Sequence, residues 1–551
     1  MKTKLISRLG YSEIYNKSES IVELVKGIHL ETALEFLVLL NKNEYLLYEK
    51  EFTEIQFILK EWIPFSSEKF KRCIVDSFLR NTEKPSIKDV RIVNKIATLR
   101  TIELLLEKKI SIEKDNYNPE NLFKIYLLVN DEIANREKIF FSKYFSRNRT
   151  EESEIRLHLY LGLNQHIINQ ELSNRKLWVE ALKFIQYEKW IVNDVNIEQT
   201  LNKYLNRFNV NSLYELFTII FEIGKVALQH HKFKVENQDK KYCYLDYISN
   251  QKISTDEWNE LAELIKNPLF KMKNGDFLII DFYFILNKFY TGIYHDFLQF
   301  TNSNYVNFHQ IYNTEFVEKY LLKNAIKSVF GNNYLQFSEL KIKSYKTKNI
   351  ENLALPDYYI RNGNKVFIFE CKNSLLSFNS KLDLKFEGVE NDFKIKYYKN
   401  GNKNKAAKQL LNFINLSNDN KYSFFDKSSK IKNLVHYPII ITTDDTLTSL
   451  SFNCLLNEFI QDDLKLMDKK LMNRIKPITI IHINDLLYRT TYLKKLDVLI
   501  DSYYRYYDTN NNVDKYLSFS DFIEIHVFKR NKSIDYKSLK GIMENSVFAN
   551  K

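Results

Sequence analysis

Pro356-Asp357 and Glu370-Cys371-Lys372 bracket the stretch YYIRNGNKVFIF, in which two apolar runs meet at Asn362-Gly363-Asn364. An Asn-Gly pair between such runs predicts a tight antiparallel hairpin. Folding it brings Asp357 on the first strand close to Glu370 at the end of the second. Two hard carboxylates so placed suit Mg²⁺, which uses few protein carboxylates and keeps waters that a substrate phosphate can displace. Lys372 lies two residues beyond Glu370, so strand alternation points both side chains to one face and Cys371 to the opposite, buried one. A metal ion, its water and a cationic group would then converge on one point.

The segment resembles the active-site motif of the PD-(D/E)xK nuclease superfamily, with its restriction-endonuclease-like fold. The resemblance covers roughly residues 305–500 and implies a core running helix, three antiparallel strands, helix, strand. The first helix is expected over 314–329 (TEFVEKYLLKNAIKSV), closed by Gly331 and Asn332. The first strand is expected over 334–344 (YLQFSELKIKS), followed by the Asp357 and Glu370 strands. After an insertion come a helix over 404–416 (NKAAKQLLNFINL), a buried strand Val435–Thr442 (VHYPIIIT) and a further strand over 477–483 (PITIIHI).

Similar nucleases often carry a carboxylate on the first helix, which implies Glu318, with Glu315 one turn earlier as its rival. On the later helix they often place a Lys or Gln facing the site, which implies Lys408 or Gln409. Gln409-Leu-Leu-Asn-Phe413 also resembles the Gln-x-x-x-Tyr element of RecB-type members, with Phe413 where those carry Tyr. The implied chemistry is phosphodiester hydrolysis with Mg²⁺, or Mn²⁺ in its place, held by Asp357, Glu370, the backbone carbonyl of Cys371 and Glu318. The ion would acidify a bound water and act as a Lewis acid. Lys372 would orient that water or neutralise charge on the phosphorane. Burial and neighbouring carboxylates pull its pKa in opposite directions, so the sequence leaves base and electrostatic aid both open.

The implied activity is endonucleolytic cleavage of DNA, in a bacterial restriction or anti-phage system. RNA is the alternative substrate, and a non-catalytic nucleic-acid-binding protein on a decayed nuclease fold is the alternative of another class. Cutting both strands of a duplex calls for two such sites, which a homodimer would supply. A regulatory or specificity partner fits the same setting.

A formal charge of +12 favours polyanionic partners. Lys341, Lys343, Lys346 and Lys348 lead into the motif, and Lys394, Lys396, Lys399, Lys403, Lys405 and Lys408 follow it, interleaved with Tyr345, Tyr397 and Tyr398. Lysines for phosphates and rings for stacking are what a nucleic-acid channel uses; a solvated lysine-rich loop has the same composition. Cys73, Cys243, Cys371 and Cys454 are far apart and without CxxC spacing, which indicates reduced thiols in a cytoplasmic protein. The opening residues MKTKLISRLGYSEIYNK hold no apolar h-region, so no secretory signal is expected. Nor does any window reach the apolar length of a membrane span. His230-His231 diverge by about 100° on a helix and chelate one ion poorly. No Walker A loop, Gly-x-Gly-x-x-Gly run or Gly-x-Ser-x-Gly elbow is present.

With 551 residues, 44% of them hydrophobic, the chain has room for about two to four domains. Only 11 Gly and 7 Pro punctuate it, which favours helices outside the motif region. Residues 1–265 read as an all-helical domain of unknown role, with periodic segments over 18–40, 53–62, 67–79, 87–108, 119–136, 151–188, 197–208 and 212–230. The longest of these is expected to break, and Ser18, Thr150 and Asn211 are N-cap candidates. Residues 266–304 read as a connecting hairpin, turning at Asn274-Gly275, and a helix. Residues 305–500 form the nuclease-like domain, with a mixed central sheet flanked by helices. A long helix leaves that domain near Asp485, and 501–551 form a small appendage. The expected class is therefore α+β and multidomain.

Overall fold

The computed structural model describes residues 6–15, 19–49, 54–82, 89–107, 118–144, 150–168, 174–191, 195–249, 261–301, 307–345, 355–376, 386–419, 421–422, 424–426, 433–509 and 513–528. Its architecture is mixed α and β. Helices dominate the first half, and a five-stranded mixed sheet organises the second.

The expected hairpin forms that sheet's centre. Tyr358–Asn362 and Lys365–Lys372 pair antiparallel, with Tyr358 opposite Phe369 and Asn362 opposite Lys365. The two-residue turn between them needs a positive φ at its first position, and Gly363 supplies it with φ +59. Val435–Thr442 then pairs in parallel with Lys365–Lys372, and Thr479–His482 pairs in parallel with Val435–Thr442. Leu335–Ser338 closes the opposite edge, antiparallel to Tyr358–Asn362.

Alternation along the central strand divides two cores. Phe367, Phe369 and Cys371 pack on one face with Ala325, Ile326 and Val329 of the Lys323–Phe330 helix. Val366 and Ile368 pack on the other with Leu410, Leu411 and Ile414 of the Ala406–Asn418 helix. Fully burying such a side chain contributes about 1.5–3 kcal/mol, so both registers are strongly specified.

Three expectations for this region change. The strand expected over 334–344 stops at Ser338, whose hydroxyl accepts from the Lys341 N–H and starts a short helix, Glu339–Ser344. The first helix is wound in two ways. Tyr312–Leu322 takes the wider π winding, accommodating Phe316 beside Trp190 (5.1 Å) and Tyr312 beside Tyr294 (4.2 Å), and Lys323–Phe330 continues as α-helix to Gly331. The long helix expected beyond Asp485 breaks at Arg489, which is buried and bound to Asp485 (3.0 Å) and Glu524 (2.6 Å). Leu496–Thr509 resumes it.

The first half is not purely helical. Ile6–Arg8 and Asp89–Arg91 form a parallel pair where a helix over 87–108 was expected, because Asn94 caps the helix at Lys95 by accepting from the Ala97 N–H (2.9 Å). Lys232–Lys234 joins the Asn274-Gly275 hairpin, Leu269–Lys271 and Asp276–Ile279, in a three-stranded antiparallel sheet. Its alternation links two cores: Phe277 and Ile279 pack with the helices behind the large sheet, Leu278 and Ile280 with the first helices of the chain. The helix expected over 151–188 breaks into Glu151–Ile168 and Asn174–Ile191. Thr150 caps as expected, accepting from the Ser153 N–H (3.2 Å), whereas Ser212 rather than Asn211 caps Leu213–Gln229. Ser18 lies outside the described residues.

Candidate active site

One further rung of the hairpin ladder would set Asp357 opposite Glu370. At that position Asp357 Oδ2 accepts the Cys371 N–H at 2.6 Å. Glu370 is 4% exposed, and its Oε1 accepts from Lys372 Nζ at 2.8 Å on the same strand face. Cys371 points to the other face and is fully buried.

The first helix brings a third acid. Glu318 interacts electrostatically with Lys372 and Glu370, whereas Glu315 is exposed and paired with Lys319 at 2.5 Å. Of the two candidates, Glu318 is the one in the network. On the later helix, Lys408 pairs with Asp463 at 2.9 Å and lies over the Tyr398 ring. Gln409 carries a buried Oε1 without a hydrogen-bond partner among the described residues. Phe413 is core, its ring tilted against that of Tyr422 at 4.3 Å.

Burial pushes the Asp357 carboxyl well above the usual carboxylate range, and the charges of Glu370 and Glu318 add to it. Burial also raises Glu370, against the pull of Lys372. Glu318 is pushed up to about 7, first by burial and then by Glu370 and Glu339, with Lys372 opposing. Burial favours the neutral Lys372 amine, but Glu370 and Asp357 outweigh it and hold the ammonium above its ordinary range. Lys372 thus faces three carboxyl groups, with Lys319 a weaker positive neighbour of Glu318.

That imbalance is the test of fit for a divalent cation. Hard oxygen donors whose charged forms are disfavoured by burial and by one another are of the type that Mg²⁺ or Mn²⁺ would take. As the side chains stand, no trio of His, Cys, Asp or Glu among the described residues closes to metal-holding distance. The Asp357 carboxylate accepts the Cys371 N–H and that of Glu370 accepts from Lys372.

Three neighbours were not foreseen. Glu339 donates its N–H to the Asp357 carbonyl at 3.0 Å and adds its charge to Glu318 and Glu370. Reading Ser338 as an N-cap would have found it. Asn373 and Asn313 bond to each other at 2.6 Å beside the Lys372 end of the strand, joining segments that carry no local signal.

Two of the three channel tyrosines are corrected, whereas Tyr345 is exposed. Tyr397 and Tyr398 are buried in the core, and Tyr397 donates to the Ser374 carbonyl at 2.7 Å, so their rings are closed to bases. Lys346 and Lys348 lie outside the described residues. Lys399–Asn400 and Lys403–Asn404 form a small hairpin with Gly401 at φ +54.

No family model, curated protein or solved structure matches this chain. What the coordinates define is a mixed α+β protein with a five-stranded mixed sheet. The described cysteines are all free, and among the described residues no helix is long and apolar enough to cross a membrane.

Proposed function

We propose that this protein is a Mg²⁺-dependent endonuclease that hydrolyses phosphodiester bonds, with DNA as its substrate, on a restriction-endonuclease-like core. The observation that carries the reading is the gathering of Asp357, Glu370 and Glu318 around Lys372 where the central hairpin meets the first helix. Asp357, Glu370, Glu318 and the Cys371 carbonyl would hold the ion. When bound, the ion supplies Lewis acidity and lowers the pKa of a coordinated water.

The chain's own groups do the rest. With Glu370 and Asp357 beside it, the charged form of Lys372 is favoured. That suits it to face the negative charge that builds on the phosphate oxygens, where a preorganised cation is effective. Its bond to Glu370 holds one carboxylate oxygen, Oε1, and leaves Oε2 to a cation. Burial of Glu370 keeps bulk water away from that carboxylate, while Asp357 stays partly exposed.

Incubation of the purified chain with plasmid, linear duplex and structured RNA, each with Mg²⁺ or EDTA, tests the reading. Metal-dependent DNA nicking supports it, and so does its loss in Asp357→Asn. Loss of RNA alone transfers the chemistry to RNA. Retarded DNA without any cleavage makes the chain a binding protein.

A further inference from the structure

A chain of polar side chains runs from the end of the sheet to the first helix. Lys372 pairs in register with Thr442, so Asn373 and Thr443 lie side by side where their two strands end. The Thr443 hydroxyl donates to Asn373 Oδ1. Asn373 Nδ2 donates to Asn313 Oδ1 at 2.6 Å, and Asn313 Nδ2 donates to His309 Nε2 at 3.0 Å. His309 Nδ1 is bonded in turn to the Tyr294 hydroxyl. Each partner fixes the orientation of the next amide, so neither Asn can flip without losing a bond.

The winding of the helix makes this chain relevant to Glu318. Asn313 and Glu318 are five residues apart within the π-wound segment Tyr312–Leu322. A π turn closes between residues i and i+5, so the two stand one turn apart on nearly the same side. With α winding they would point about 140° apart. Asn373 follows Lys372 directly, so its bond to Asn313 joins the Lys372 end of the strand to the helix side that carries Glu318. Tyr312 and Phe316, packed on Tyr187 at 5.8 and 5.3 Å, hold the same segment from behind.

We propose that Asn373 is a positioning residue: oriented by Thr443 and bonded to Asn313, it registers the π-wound helix so that Glu318 stays beside Lys372 and Glu370. The consequence for cation binding rests on the nuclease reading; the clamp itself does not. Groups that hydrogen-bond a metal's ligands commonly change affinity or rate by about 10–100-fold when removed, and Asn373, which acts through the helix, should fall at the lower end of that range.

The test uses the full chain, with Asn373→Ala, Asn313→Ala and the double variant, and Thr443→Val as a near-isosteric change should an Asn variant fold poorly. Hydrogen–deuterium exchange over residues 312–322, Mn²⁺ titration calorimetry, and kcat and KM on DNA are measured for each. Either single change is expected to speed exchange in that segment, weaken Mn²⁺ binding about 10-fold or more, and lower kcat with KM for DNA kept. The double variant is expected to lose clearly less than the product of the two singles, because both changes remove the same Asn373–Asn313 bond. Unchanged exchange over 312–322 in both singles, or losses that simply multiply in the double, would overturn the proposal. A parent chain that neither binds Mn²⁺ nor cuts ends the nuclease reading, and the exchange measurement still decides the clamp.

Discussion

The Lys372 ammonium lies 2.8 Å from Glu370 Oε1, on the same face of one strand, with Asp357 and Glu318 as further negative neighbours. It is the cation common to the three acids. Its loss should therefore affect stability as well as the proposed chemistry.

Lys372→Met should abolish Mg²⁺-dependent cleavage. Removing one partner of a buried ion pair costs about 3–5 kcal/mol, so the metal-free variant should also melt earlier at neutral pH. Mg²⁺ should raise its melting temperature more than the parent's, since an added cation replaces the missing charge. Calorimetric melting with and without Mg²⁺ reads this, and equal shifts would remove Lys372 from the charge balance.

Glu318 sets a pH dependence. Its folded pKa, about 7, lies above the ordinary value of 4.5, so the stability it contributes is fully present below about 4.5 and is lost as pH rises through about 7. Metal binding needs the deprotonated carboxylate, so Mg²⁺ should stabilise the parent more at pH 8 than at pH 6. Glu318→Gln should flatten both trends in a melting series across that range. A variant that keeps the parent's slope would assign it to other groups.

Gly363 tests whether the hairpin turn matters to the site. A Cβ there would meet nothing within 4 Å, so substitution acts through the backbone alone at φ +59. Gly363→Val should cost about 1–2 kcal/mol in urea unfolding. It should also lower cleavage, because the turn fixes the register that sets Asp357 against Glu370. Full activity with reduced stability would separate the turn from the site.

The small hairpin carries Lys399 and Lys403, two of the lysines that follow the motif in sequence. Replacing Lys399, Lys403 and Lys405 with Ala should weaken DNA binding most at low salt. The slope of log K against log salt should shrink by about 0.9 for each phosphate that the chain ceases to neutralise. An unchanged slope in a fluorescence-anisotropy titration would show these lysines to be merely solvated.

Much of the sheet was legible from local pattern. Apolar runs around Asn362-Gly363-Asn364 predict the hairpin because turn chemistry and period-2 alternation are properties of adjacent residues. Val435–Thr442 is equally legible as an apolar run, and Gly331 as a helix end, taking φ +59. Asp357, Glu370 and Lys372 follow from that register, since two-residue alternation alone assigns their faces.

What neighbouring residues determined, then, is the hairpin, its turn and the polar trio on it. Only the tertiary structure decided that Glu318 rather than Glu315 joins them, because π winding against Tyr187, Trp190 and Tyr294 rotates the helix away from the 3.6-residue pattern that its sequence suggests. It likewise decided that Tyr397 and Tyr398 are core rather than stacking surface, and that Asn373 meets Asn313. Those outcomes depend on packing between segments distant in the chain, which outweighs local preference.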